Sequence, residues 1–436
     1  MKKLIMTVMT VALAFAGRAD LMTYAPQGGD NLWSDTSAWR IGGAAAGRVP
    51  TEADDVSLFG AWTAAFPLTV STGSAATANT IGFGNAISGS AGDVVHMKIE
   101  GSLATASTFA TNVWGTAGVT SVVTVAEGGS FTGSGCDWIG ATAGSRTVIT
   151  NNGTMTFNDF HLVETKGAEA SLDNYGVLKV DGECVIGDRA SKGPYGFGRL
   201  YLHPGSTLEK KVSLKGGAYT FLEVGSGVPG ELVVENELVM QKSDQIRLGR
   251  EEGVEGHLII RGEGIVTNNP SGDMNVDLGN NKSAIGRLTM TDNARLFVKK
   301  TVTCLSGAGK DGSKAYVTMS GNSIVDGKNS GMVFGDGKNS FTSFDLSGSA
   351  TFNSPSDFPI ATGEGATGRI VLSDNAGLIS KTHLQFGGVA TALDLCISNN
   401  AYISATRQHK FLSEPDCTGT GTVTMAGGQI RITTIP

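Results

Sequence analysis

Few residues in this chain stand at spacings that do chemistry. Its six histidines, His96, His161, His203, His257, His383 and His409, are single. No HExxH and no close His pair occurs, so no zinc ligand set is spaced along the sequence. The five cysteines, Cys136, Cys184, Cys304, Cys396 and Cys417, are an odd number with no CxxC, which removes the zinc and redox motifs. Cys396 and Cys417 could bridge; the others read as small buried apolar residues. No GxSxG elbow supports a serine nucleophile. No P-loop and no GxGxxG in a βαβ setting supports a nucleotide.

Three groupings remain. Asp326-Gly-Lys-Asn-Ser330 recurs as Asp336-Gly-Lys-Asn-Ser340, with Asp311-Gly312 nearby. Oxygen-rich turns of this kind can hold Ca²⁺, so Asp326 and Asp336 are the metal candidates and calcium the one cofactor suggested. Asp-Gly and Asn-Ser are also ordinary turn residues, and the GGxGxD calcium repeat is missing, so the turn reading is preferred. Trp33, Trp39 and Trp62 could stack on pyranose rings, or could cover the open end of a core. Asp54-Asp55 is the only acidic pair in a motif context and is given no catalytic role. Glycoside hydrolysis needs two carboxylates at a defined separation. A lyase needs a base with a metal or an Arg. Neither is apparent in the linear sequence.

The elements that would position these groups are strands. Six segments share one plan: two apolar residues two apart, then a turn of Ser, Asp, Gly and Asn. The pairs are Leu288/Met290, Val317/Met319, Phe344/Leu346, Ile370/Leu372, Leu395/Ile397 and Val423/Met425. A period of two is that of a strand with one buried face. Gly and Asn tolerate positive φ, and Ser and Asp bond nearby backbone, so the turn has a physical cause. Looser copies begin at Gly198, Gly230 and Gly256. An apolar-x-apolar-Gly step ends a second strand in each unit: Leu222-Glu-Val-Gly225, Ile246-Arg-Leu-Gly249, Val276-Asp-Leu-Gly279 and Leu384-Gln-Phe-Gly387. No helical period competes. The expectation is an all-β fold: a parallel β-helix, or solenoid, of about a dozen coils sharing one continuous core. A string of antiparallel β-sandwiches is the runner-up.

Stacked in register, the first strands would line up Arg199, Glu231, His257, Arg287, Tyr316, Ser343, Arg369, Asp394 and Thr422 on the outside. The second strands would line up Glu223, Arg247 and Asp277 as acid, base, acid. The first column mixes its signs and forms no acidic strip; the second reads as a ladder of surface ion pairs, each contributing about 0–1 kcal/mol, in preference to catalysis.

The chain has 436 residues, a net charge of −7 and 62 glycines, about twice the usual glycine share. With 11 prolines and no three-residue glycine period it is not collagen. Mild acidity argues against nucleic acid. Lys2 and Lys3, the apolar run Leu4 to Ala16, and Gly17-Arg18-Ala19 form an export signal over 1–19, with the mature chain starting at Asp20. No later run is long enough to span a membrane as a helix. All five Trp lie in the first third, so 20–94 is expected to be an N-terminal aromatic capping segment, and 95–436 the solenoid repeats.

The pair Trp33/Trp39, the step Pro50…Asp54-Asp55-Val56, and the later Gly-x-Leu-x-Val/Met units resemble exported bacterial autotransporter-associated β-strand-repeat proteins. That resemblance implies an adhesin-like passenger, secreted or at the cell surface, with glycans or matrix components as partners. No translocating barrel or sorting tail follows Ile435-Pro436, so release, or a chain that continues, is expected. The functional expectation is an exported, non-catalytic structural or adhesive rod. The alternatives are a polysaccharide lyase or hydrolase on the same fold, and a glycan-binding module built on Trp33, Trp39 and Trp62.

Overall fold

A computed structural model describes residues 20–432, apart from 26–30, 59–65, 84–91, 107–111, 115–116, 164, 166, 188–195, 211–219, 241–243, 269–272, 280, 300–302, 329–330 and 412–418. Residues 1–19, read above as an export signal, therefore lie outside the described residues, as do Trp62 and Cys417. Among the described residues every regular element is a strand.

One coil shows how the alternation builds the fold. Glu255–Ile260 is a long strand, Ile265–Asn268 a short one, and Met274–Leu278 closes a third side. The next coil opens with Ile285–Met290, which pairs in parallel with Glu255–Ile260, residue for residue. Repetition of this coil gives a parallel β-solenoid. The long strands form one 15-stranded parallel sheet from Asn31–Leu32 to Thr420–Ala426. At ~4.8 Å per step this face runs roughly 65 Å. Eight short strands, Glu237–Met240 through Gln429–Ile432, make the second face. In the N-terminal half the bent strands Ser130–Ile139 and Thr154–Leu162 turn the corner without a break, so the second and third sides join there. Parallel pairing throughout the repeats excludes the sandwich alternative.

Each coil sends alternate residues inward. Five of the six sequence pairs, from Leu288/Met290 to Leu395/Ile397, are at most 1% exposed. The sixth, Val423 and Met425, is 50% and 46% exposed, because no described strand stacks beyond it. Phe334, Phe344, Phe352 and Phe358 fill one stretch of core, ring against ring at 4.8–6.0 Å. Asn151 and Asn174 are also buried, and the Asn151 side-chain amide donates to Asn174 Oδ1 at 2.6 Å, so neither is left unsatisfied.

The turns stack as the strands do. Asp292 and Gly321 occupy the same left-handed position in successive coils, with φ of 59° and 67°. A Cβ on Gly321 would lie 2.7 Å from the Asp292 carbonyl oxygen, so the close stacking requires glycine there. The second recurrent step also needs positive φ: Gly249 and Gly279 take 70° and 67°, and Ala308 and Ala361 hold the same bend at 53°.

Parallel stacking starts ahead of the boundary at residue 95. Asp55–Leu58 pairs with Thr80–Phe83, and Leu68–Val70 with Val94–Ile99. Three- and four-residue strands carry too little alternation to register as repeats. The segment that departs from the pattern is the first coil, where Leu21–Tyr24 pairs antiparallel with Trp39–Ile41.

Candidate functional site

The long-strand face brings the expected outward column together in full register. Arg199 stands beside Glu231, and the series continues through His257, Arg287, Tyr316, Ser343, Arg369 and Asp394 to Thr422. Arg199 Nε lies 3.0 Å from Glu231 Oε1 as an ion pair without the alignment of a hydrogen bond. Arg287 Nε is 2.7 Å from Glu255. His257 Nε2 is 2.9 Å from Thr289 Oγ1, and burial among its neighbours pushes the imidazole pKa down.

Two neighbouring columns add rings that the sequence did not single out. Tyr175 and His203 stack at 3.9 Å, and His203 stacks on Tyr201 at 3.7 Å. His203 Nε2 also meets Asp173 Oδ1 at 3.1 Å. The guanidinium groups of Arg199 and Arg261 lie 5.2 and 5.1 Å from the Tyr201 ring centre. Arg261 reaches back over two coils to donate to the Tyr201 hydroxyl, and its Nε lies 2.6 Å from Glu235. Val233, on the coil between, is fully buried although it points outward. Burial raises the Tyr201 pKa, and its hydrogen bond to Glu235 adds to the rise. At Glu235 burial pushes upward, but the bonds from Tyr201 and Arg261 outweigh it and lower the pKa. Four coils on, Arg287 covers Tyr316 at 4.2 Å, and Tyr316 packs on Phe341 at 5.4 Å. The face thus carries two aromatic–arginine–carboxylate clusters, with Tyr175 48% and Phe197 41% exposed.

The third face also holds its expected row. Glu223, Arg247 and Asp277 are register partners. It is not a surface ladder, however. Glu223 is 1% exposed, and its Oε1 takes Arg250 at 2.5 Å and Arg247 at 3.3 Å. Ser226 Oγ donates to its Oε2 at 2.9 Å. Arg247 lies 3.5 Å over the Phe221 ring. Burial lowers the Arg247 pKa, with Glu223 opposing. Asn275 Nδ2 donates to Asp277 at 2.8 Å, and Ser306 Oγ donates to the other oxygen. Glu223 points outward and is nonetheless buried, which the alternation alone does not reveal.

The tryptophan candidates are placed differently from a sugar platform. Trp39 is fully buried and Trp33 is 4% exposed. The rings meet edge to face at 4.8 Å, Tyr24 closes on Trp39 at 5.0 Å, and Trp39 Nε1 donates to the Trp33 carbonyl at 2.8 Å. Neither ring offers a face to a ligand, because the first coil folds over both. Trp62 lies outside the described residues. The calcium candidates do not converge. Asp326 sits within the short strand Ile324–Gly327, between Phe297 and Asn353. Asp336 lies in the turn after Gly331–Phe334, on the rim of an open cavity of about 290 Å³ beside Asp277 and Lys310. Asp326-Gly327 thus lies in a strand and Asp336-Gly337 in a turn, on two different faces. No three His, Cys, Asp or Glu side chains gather as metal ligands among the described residues.

Asp54 and Asp55 hold backbone in place. Asp54 takes both Arg48 nitrogens at 2.6 and 2.8 Å, and Thr51 through its N–H and its hydroxyl at 2.8 Å each. Asp55 accepts from Asn79 and Thr80 on the next coil. Cys184 is buried and Cys396 half-buried. A larger open groove, about 590 Å³, lies at the N-terminal end of the long-strand face between Leu32, Phe66, His96 and Lys98.

Compared with family models, with curated proteins and with solved structures, the chain gives no match in any of the three. Its function is therefore argued from its own surface. Tyr175, His203 and Arg261 were missed because they stand just beyond the strand ends, where the repeat pattern assigns only turn. A column read one position further would have aligned Tyr175, His203, Glu235 and Arg261.

Proposed function

We propose that this chain is an exported, non-catalytic rod with a structural or adhesive role, offering its long parallel faces to glycans or matrix components. The observation that carries this reading is the long-strand face itself. It is a 15-stranded sheet on which Arg199, Arg261 and Arg287 pair across coils with Glu231, Glu235 and Glu255. Carboxylates held in this way serve rigidity and recognition better than proton transfer. The repeated rows suit weak contacts summed over a long partner. An autotransporter-like passenger, secreted or held at the surface, would use such a face.

The test is retention of the mature protein, from Asp20, on a panel of polysaccharides, scored together with new chain ends. Retention without cleavage is the expected result. Turnover would overturn the reading and point to the carboxylates around Glu223 and Asp277. Retention on no polymer would leave a scaffold without glycan adhesion. N-terminal sequencing of the exported protein is expected to read from Asp20, and an intact Met1 would remove export through this signal.

A further inference from the structure

We infer that the long-strand face binds an extended, uncharged polysaccharide, gripped at two aromatic positions, Tyr175 and, five coils on, Tyr316. The inference rests on the adhesive reading above and names its ligand and its residues.

The first argument is preorganisation. Tyr201, with His203 stacked on it, two guanidinium groups near its ring and its hydroxyl fixed by Arg261, is a rigid backing for Tyr175. Tyr175 presents a 48% exposed ring whose plane is set by the His203 stack. Tyr316 is fixed by Arg287 and Phe341. Rings locked before binding lose little freedom on contact. An apolar ring face ringed by polar groups is the complement of a sugar, whose C–H faces are apolar and whose hydroxyls lie at the edge.

The second argument is the polar edge. An arginine has five N–H donors and a carboxylate about four acceptor sites. Arg261 and Glu235 use only some of theirs on each other and on Tyr201. Their side chains are 39% and 20% exposed, which leaves the remainder open to the hydroxyls of a bound sugar.

The third argument is charge. Arg199, Arg261 and Arg287 are each matched by a carboxylate, Glu231, Glu235 and Glu255. No excess of positive charge is left to draw a polyanion. The fourth is spacing. Tyr175 and Tyr316 are five coil steps apart along the rod, about 24 Å at ~4.8 Å per step, and four residue positions apart across it, about 13 Å at ~3.3 Å per residue. A pyranose ring is comparable in length to one step, so a chain laid obliquely across the face can reach both rings. Joining two weak contacts on one polymer raises the overall affinity.

The experiment measures retention of the full chain on an insoluble neutral β-glucan, a neutral mannan and an anionic polyuronate. Tyr175→Ala and Tyr316→Ala are compared with wild type and with Tyr402→Ala. Tyr402 is a control ring, covered by Arg431 at 4.6 Å on the short-strand face. The expected result is retention on a neutral polymer, weakened about 3- to 10-fold by each long-strand variant and unchanged by Tyr402→Ala. Retention unaffected by Tyr175→Ala and Tyr316→Ala would overturn the site and leave the adhesive reading standing. Retention on the polyuronate alone would overturn the uncharged ligand. Retention on no polymer would overturn glycan adhesion and this inference together.

Discussion

Glu223→Ala should loosen the rod locally. The carboxylate is 1% exposed and answers two guanidinium groups, Arg250 at 2.5 Å and Arg247 at 3.3 Å. Its removal leaves two positive charges facing each other with little water. Taking one partner from a fully buried ion pair costs about 3–5 kcal/mol. Here the arginine side chains keep 19% and 27% exposure, and Arg247 retains its bonds to Gln245. A loss of about 2–3 kcal/mol is therefore expected. In a solenoid each coil contacts its neighbours alone, so the loss should stay near the site. Amide exchange should report it: protection in Thr220–Val224, Asp244–Leu248 and Met274–Leu278 should fall roughly 30-fold or more, while Thr367–Leu372 is unchanged. A fall below about threefold would mean that Glu223 is solvated and the argument from burial is wrong. Replacing the set with apolar residues, Glu223→Leu with Arg247→Met and Arg250→Met, removes the charges as well as their attraction. That variant should recover most of the lost protection.

Two further perturbations test the N-terminal coil. The Arg48 hydrogen bonds, aided by Thr51 and opposed by burial, hold the Asp54 pKa at about 2 instead of 3.8. A depressed carboxyl contributes its stability above its unfolded pKa and loses it on protonation. The contribution should thus be complete above pH ~4 and fade toward pH ~2, with about 1–2 kcal/mol at stake because Arg48 is partly in water. In Asp54→Asn the tryptophan fluorescence should lose its titration between those pH values; an acid profile identical to wild type would refute the clamp. Trp39→Ala removes a fully buried ring that also donates to the Trp33 carbonyl, and should cost about 3–5 kcal/mol. Limited proteolysis should then cut within the first coils and leave the later rod intact, whereas an unchanged digest would show that the ring does not hold the end. Glycan retention by the surviving rod should be unaffected.

Much of the architecture was legible in the sequence because a pleated strand enforces its period on every coil. Leu288/Met290 and its counterparts had to point inward, and once they did, the register followed. Arg199 to Thr422 and Glu223 to Asp277 then fell into columns without any tertiary information. The turns were legible too, since Asp292 and Gly321 sit where positive φ is required.

What the sequence by itself determined was therefore periodic: strand, turn, inward face and the order of residues along each outward column. Tertiary structure alone decided how deep each outward residue lies. Glu223 and Val233 point away from the core and are buried, because side chains from neighbouring coils close over them. It also decided that Trp33 and Trp39 turn inward, that Tyr175, His203 and Tyr201 meet, and that the same Asp-Gly step lies in a strand at Asp326 and in a turn at Asp336. The reason is physical: alternation is a property of the local backbone, whereas burial, stacking and pairing depend on residues some 25 to 60 positions away that only the coiling brings within reach.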